Sequence, residues 1–111
     1  MEINQETQNK IQNIQALDQN LQNLLGQKQL FQLEINETEN ALKEVKKTKN
    51  DIFKITGQVM LKTTKQDIEK DLKEKNDVLK LRLKAIEKQE TIFREQLERI
   101  KSEVMGNIGE Q

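Results

Sequence analysis

The sequence predicts a mainly α protein: a long antiparallel two-helix coiled coil, with one β-hairpin at the connecting end and the hairpins forming a β-barrel on oligomerisation. Three observations point there. Apolar residues recur in alternating steps of three and four through both halves of the chain. No proline interrupts either half. Between the halves lies DIFKITGQVMLKTT, residues 51–64, rich in β-branched and apolar types around a single glycine.

The first helix follows from a seam at Ile14, Leu17, Leu21, Leu24, Lys28, Phe31, Ile35, Thr38, Leu42 and Val45, eight of which are apolar. Ile11 and Leu25 flank it. Lys46, Lys47 and Lys49 suit the C-terminal end of a helix, where cations complement the macrodipole. Asn50 can take the left-handed conformation beyond it. The helix is expected over about residues 4–49.

The hairpin is expected over about 51–63, with strands at 52–55 and 59–63 and Thr56, Gly57 and Gln58 between them. Gly57 supplies a positive φ. Apolar residues fall on both sequence parities, Ile52 and Met60 on one and Phe53, Ile55, Val59 and Leu61 on the other. A sheet with one wet face alternates more cleanly. An isolated two-stranded hairpin is marginal in water and leaves its edges unpaired. These seven residues, Gly57 included, are therefore read as an assembly element that a closed barrel of several chains would satisfy. The alternative is a hairpin that packs as a cap on its own helix ends.

The second helix is expected over about 65–106. Thr64, followed three residues later by Asp67, resembles a capping box. Its seam runs Leu72, Asn76, Leu79, Leu83, Ile86, Glu90, Phe93, Leu97, Ile100 and Val104, again eight apolar in ten. Ile68, Val78 and Leu81 widen the stripe at its start. Acid-to-base pairs at i,i+4 (Glu69–Lys73, Asp71–Lys75, Glu90–Arg94, Glu95–Arg99) stabilise the outer face by a few tenths of a kcal/mol each, roughly. Gly106 and Gly109 suggest fraying. If residues equidistant from the hairpin turn oppose each other, the two polar interruptions, Lys28 and Glu90, fall at nearly the same height, where they either face each other across the seam and fix its register or extend outward independently.

Composition bounds the function. Of 111 residues, 33% are hydrophobic, 34% charged and 3% aromatic, so the chain buries a narrow stripe rather than a wide core. Nineteen basic residues balance nineteen acidic ones, which argues against nucleic acid, whose phosphates need a basic excess. There is no cysteine or histidine, so disulfides and thiolate or imidazole metal sites are excluded. No catalytic residues, metal or cofactor are expected. The four glycines form no phosphate loop. A charge run such as DIEKDLKEKND is a solvated face. MEINQETQNK is not a signal peptide, no apolar run is long enough for a membrane span, and NET at residues 36–38 is read as chance. A reducing, cytoplasmic setting fits.

INETENALKEV (35–45), TGQVMLK (56–62) and TKQDIEKDLKEKNDVLKLRLKAIEKQE (64–90) together resemble the β-type subunit of prefoldin. The likeness covers nearly the whole chain and is weak in the first thirty residues. KEKN at 73–76 departs from the glutamine-containing version common in related chains. One hairpin, rather than two, matches the β-type. The resemblance implies a single prefoldin β-type domain over 1–111. It implies a hexamer of two α-type subunits with four copies of a β-type chain, joined through the hairpins. It implies an archaeal pattern and an ATP-independent chaperone that holds unfolded client proteins at its coiled-coil tips and passes them to a group II chaperonin. The tip residues would be Ile3, Ile11, Ile14, Leu17, Leu97, Ile100, Val104, Met105 and Ile108, partly exposed near frayed helix ends. The rival reading is a structural coiled coil that oligomerises or tethers without binding clients. The first 32 residues hold five charges and fourteen Gln or Asn, whereas 21 of 39 residues from Lys65 to Glu103 are charged. The carboxamides are read as neutral surface filler.

Overall fold

A computed structural model describes residues 4–109, with side chains over residues 4–106. The elements run α1 (Gln5–Lys47), β1 (Ile52–Thr56), β2 (Val59–Thr63) and α2 (Lys65–Gly109). Asn4 opens α1: the Thr7 backbone N–H donates to its Oδ1 at 2.7 Å, satisfying a donor that the first turn leaves orphaned. Thr64 does the same for α2, its Oγ1 accepting from the Asp67 N–H at 3.1 Å. α1 ends two residues earlier than expected. Asn50 does not close it, because no described residue other than glycine has positive φ. Instead the Lys65 ammonium donates to the Lys46 carbonyl at 2.7 Å, and the Asn50 N–H donates to Thr48 Oγ1 at 3.2 Å. α2 does not fray at Gly106 but continues to Gly109.

Two compact units form. One comprises the described residues up to Gln29 together with those from Lys84 onwards; the other is Leu30–Leu83. In the first, Leu21, Leu24, Ile86, Leu97 and Val104 are buried, as is Thr7 near the start of α1. Its helices run antiparallel, since Lys10 meets Glu103 at 3.4 Å and Lys28 meets Glu90 at 3.5 Å. In the second, Ile35, Thr38 and Leu79 are buried, and Lys80 reaches Glu39 at 3.5 Å. Thr38 can occupy a seam position because its hydroxyl donates to the Glu34 carbonyl at 2.7 Å, leaving its methyl to pack.

All twenty expected seam positions are buried or half-buried. No described side chain is sealed below 2% exposure. Each fully buried Leu or Ile contributes about 1.5–3 kcal/mol, so stability is spread along the seam. Three flanking residues depart from expectation. Leu25, Val78 and Leu81 are exposed rather than widening the stripe, because two facing helices cover only the narrow a/d rows. Of the four expected i,i+4 pairs, Glu90–Arg94 closes at 3.1 Å. Asp71 turns instead to Lys54, at 3.4 Å, and the other two stand apart.

Candidate functional site

The hairpin is built by its turn. β1 runs through Thr56, one residue further than expected, so the loop is only Gly57 and Gln58. Gly57 has φ +60° and Gln58 does not have positive φ, the pattern of a II′ turn, whose twist matches the flanking strands. The register pairs Ile52 with Thr63, Phe53 with Lys62, Lys54 with Leu61, Ile55 with Met60 and Thr56 with Val59. This corrects the grouping of faces. A two-residue loop pairs even numbers on β1 with odd numbers on β2. One face therefore carries Ile52, Lys54, Thr56, Val59, Leu61 and Thr63, and the other Phe53, Ile55, Met60 and Lys62. Both faces still hold apolar residues, so neither is a solvent face by chemistry.

The hairpin does not cap its own helix ends. Four of the five residues in each strand are exposed, and only Ile52 and Thr63 are half-covered. Ile55 is 70% exposed, Met60 64%, Val59 55%, and Phe53 and Leu61 53% each. Each strand has a single neighbour, so each also presents an unpaired edge. Lys54 and Lys62 are tied back by Asp71 and Asp51.

The expected tip residues divide. Leu97 and Val104 are buried in the seam and not partly exposed as expected, because the helices remain paired through this region. Ile11, Ile14, Leu17 and Ile100 are half-buried, and Met105 stands 70% exposed. Ile3 and the side chain of Ile108 lie outside the described residues. Glu6 and Glu103 both reach the Lys10 ammonium, at 3.5 and 3.4 Å, so these charges largely satisfy one another.

On one side of this unit a groove runs along the seam. Asn13, Ala16, Leu17 and Asn20 of α1 and Gln96, Arg99 and Ile100 of α2 line it. A smaller depression beside Leu97 is lined by Arg94, Glu98 and Lys101. The groove residues other than Leu17 and Ile100 escaped the sequence reading, which took the carboxamides for filler. The signal was present in the helical spacing of Asn13, Ala16 and Asn20 opposite Gln96 and Arg99.

Lys28 and Glu90 meet across the seam as their heights require. Lys28 Nζ lies 3.5 Å from Glu90 Oε2, and Arg94 Nε donates to Glu90 Oε1 at 3.1 Å. The Arg94 hydrogen bond and the Lys28 charge hold the Glu90 carboxyl below its ordinary pKa, against an opposing push from burial. Among the described residues no cluster of three or more acidic side chains could hold a metal, and no helix is long and apolar enough to cross a membrane.

The arrangement has known counterparts. The profile of the family described as "Prefoldin subunit" matches residues 8–111. The prefoldin subunit beta of Methanothrix thermoacetophila is 32% identical over 111 residues, covering 98% of this chain and 92% of that protein. That of Methanospirillum hungatei is 31% identical over 108 residues, covering 96% and 90%. The crystal structure of the prefoldin beta subunit from Thermococcus strain KS-1 superposes with a TM-score of 0.89 at 31% identity, over 96% of this chain and 95% of that one. In sequence, element order and single hairpin alike, the chain belongs to the prefoldin family of chaperone subunits and is similar to its β-type members.

Proposed function

We propose that this chain, acting as one domain over 1–111, is the β-type component of a hetero-oligomeric, ATP-independent holdase. In this reading the hairpins of several copies and of a longer, two-hairpin α-type partner join, two α-type to four β-type, into a closed β-barrel. The observation that carries it is the hairpin itself: five large apolar side chains more than half exposed, on both faces of a sheet with two free edges. Exposed apolar surface of this kind marks an interface, and strand edges are satisfied by other strands. The assembled particle holds unfolded proteins at the ends bearing the chain termini and delivers them to a group II chaperonin in the cytoplasm. Ile11, Ile14, Leu17, Ile100 and Met105 supply reversible apolar contact there, while Leu97 and Val104 keep the seam closed beneath them. Such work needs no nucleotide, metal or catalytic group.

The test is aggregation of a chemically denatured protein diluted into buffer, with this chain alone and with a two-hairpin partner. Suppression of light scattering by the pair is expected. Replacing residues 52–63 with a short Gly/Ser link is expected to keep helix content and to reduce the particle to a monomer or loose dimer in sedimentation. An assembly that forms normally yet leaves aggregation untouched would instead support a purely structural tether.

A further inference from the structure

The proposed function leaves open what kind of client segment the terminal unit grips. We infer that the groove between Asn13 and Ile100 binds an extended polypeptide segment that carries an apolar side chain next to an acidic one. This rests on the client-binding reading and goes beyond it in naming a site and a preference.

The floor is apolar: Leu17 and Ile100 are half-buried, with side chain still open to the groove, and Ala16 beside them leaves room. One turn before Gln96 on α2, Ile92 stands 52% exposed, continuing the apolar strip. The rim is carboxamide. Asn13 and Asn20 stand on one wall and Gln96 on the other, and each offers both donors and an acceptor. A peptide backbone presents donors and acceptors alternately, so carboxamides serve it whatever its sequence. The spacing fits an extended chain. Asn13 and Asn20 are seven residues apart on α1, about 10.5 Å along the axis, which is close to the rise of three extended residues. A segment spanning the two carboxamides therefore places its middle side chains over Ala16 and Leu17.

Charge complementarity sets the preference. Arg99 is the one charged residue lining the groove, and it makes no ion pair, although Glu95 lies one turn away on α2. Of the cations nearby, Lys10 is held by Glu6 and Glu103 and Arg94 by Glu90, whereas Lys101 is unpaired like Arg99 but lines the depression beside Leu97 and not the groove. A guanidinium at the rim of an apolar strip, with no partner of its own, is satisfied by a carboxylate that arrives with the bound segment.

The experiment uses the full chain assembled with its two-hairpin partner. Fluorescently labelled unstructured peptides share one apolar core flanked by either Glu or Lys, and binding is read by anisotropy. The Glu-flanked peptide is expected to bind about two- to five-fold more tightly at low salt, the factor an exposed ion pair supplies. Arg99→Gln should erase the difference, Arg99→Glu should invert it, and Arg99→Lys should retain most of it. Circular dichroism checks that each variant keeps its helices. Equal binding of the two peptides by the wild-type assembly, or an unchanged preference in Arg99→Glu, overturns the inference. If aggregation is suppressed while the peptides show no preference, the groove falls and the holdase reading stands. If neither suppression nor peptide binding is found, both fall.

Discussion

Replacing Lys28 and Glu90 singly and together by Leu tests how the seam holds its register. Their charged atoms lie 3.5 Å apart, with the side chains 28% and 13% exposed. At an effective dielectric of about 20 the gross attraction at that distance is roughly 4–5 kcal/mol. Water still reaches both groups, and desolvation and side-chain ordering remove most of this, leaving a coupling of about 0.5–1 kcal/mol. The single variants should differ. Lys28→Leu adds apolar surface to the seam and leaves Glu90 held by Arg94 at 3.1 Å, so it should be neutral or stabilising by about 1 kcal/mol. Glu90→Leu also adds apolar surface but deprives both cations of their carboxylate. Urea unfolding followed by circular dichroism at one fixed protein concentration gives all four stabilities, without the ionic screening that guanidinium would bring. Strictly additive changes would mean that the contact contributes nothing and that the reasoning about register is wrong. Acid adds a second reading. The folded pKa of Glu90 is depressed, chiefly by the Arg94 hydrogen bond and also by the Lys28 charge. Its contribution is therefore fully present above the unfolded value of about 4.3 and is lost as pH falls through the folded value. Glu90→Gln should flatten that part of the acid dependence, and a variant as acid-sensitive as the wild type would contradict the assignment.

Gly57→Val should destabilise the hairpin by about 1–2 kcal/mol, since φ is +60° there and nothing lies within 4 Å of a Cβ, making backbone strain the whole cost; a reduced particle size in sedimentation, with helix content intact, is the expected readout. Asn76→Leu should raise the thermal midpoint, because the Asn76 Oδ1 is buried without a partner and its removal recovers about 1–3 kcal/mol; a lowered midpoint would show that the amide has a structural role at that seam position.

Some of this protein could be read along the chain and some could not. The seam was legible because a heptad repeat is a local rule. Helical geometry alone puts Leu21 and Leu24 on one stripe of α1 and Ile86 and Leu97 on one stripe of α2, and among the described residues no competing core overrides it. The Thr64 cap and the glycine of the turn followed from similarly short-range rules, whereas equal height about the hairpin made the contact of Lys28 with Glu90 possible and the packing decided it, 62 residues apart. The sequence by itself therefore determined the two helices, the position of the hairpin and its apolar residues, whereas the exposure of the hairpin, instead of its packing as a cap, was decided by the structure. Other features depended on where a second segment lies. The hairpin faces changed partners because a two-residue loop, one residue shorter than expected, reverses the parity of β2 against β1. The end of α1 is closed by Lys65, nineteen residues away from Lys46, which no local signal announces. Leu25, Val78 and Leu81 are exposed, and Leu97 and Val104 covered, because coverage is set by how much of each helix its neighbour reaches. The groove beside Arg99 exists only where the carboxamides of α1 stand across from Gln96. Hydrophobic periodicity says which face a helix turns inward. Which side chains then share a surface, and which remain without a partner, is settled by the packing of one helix on the other.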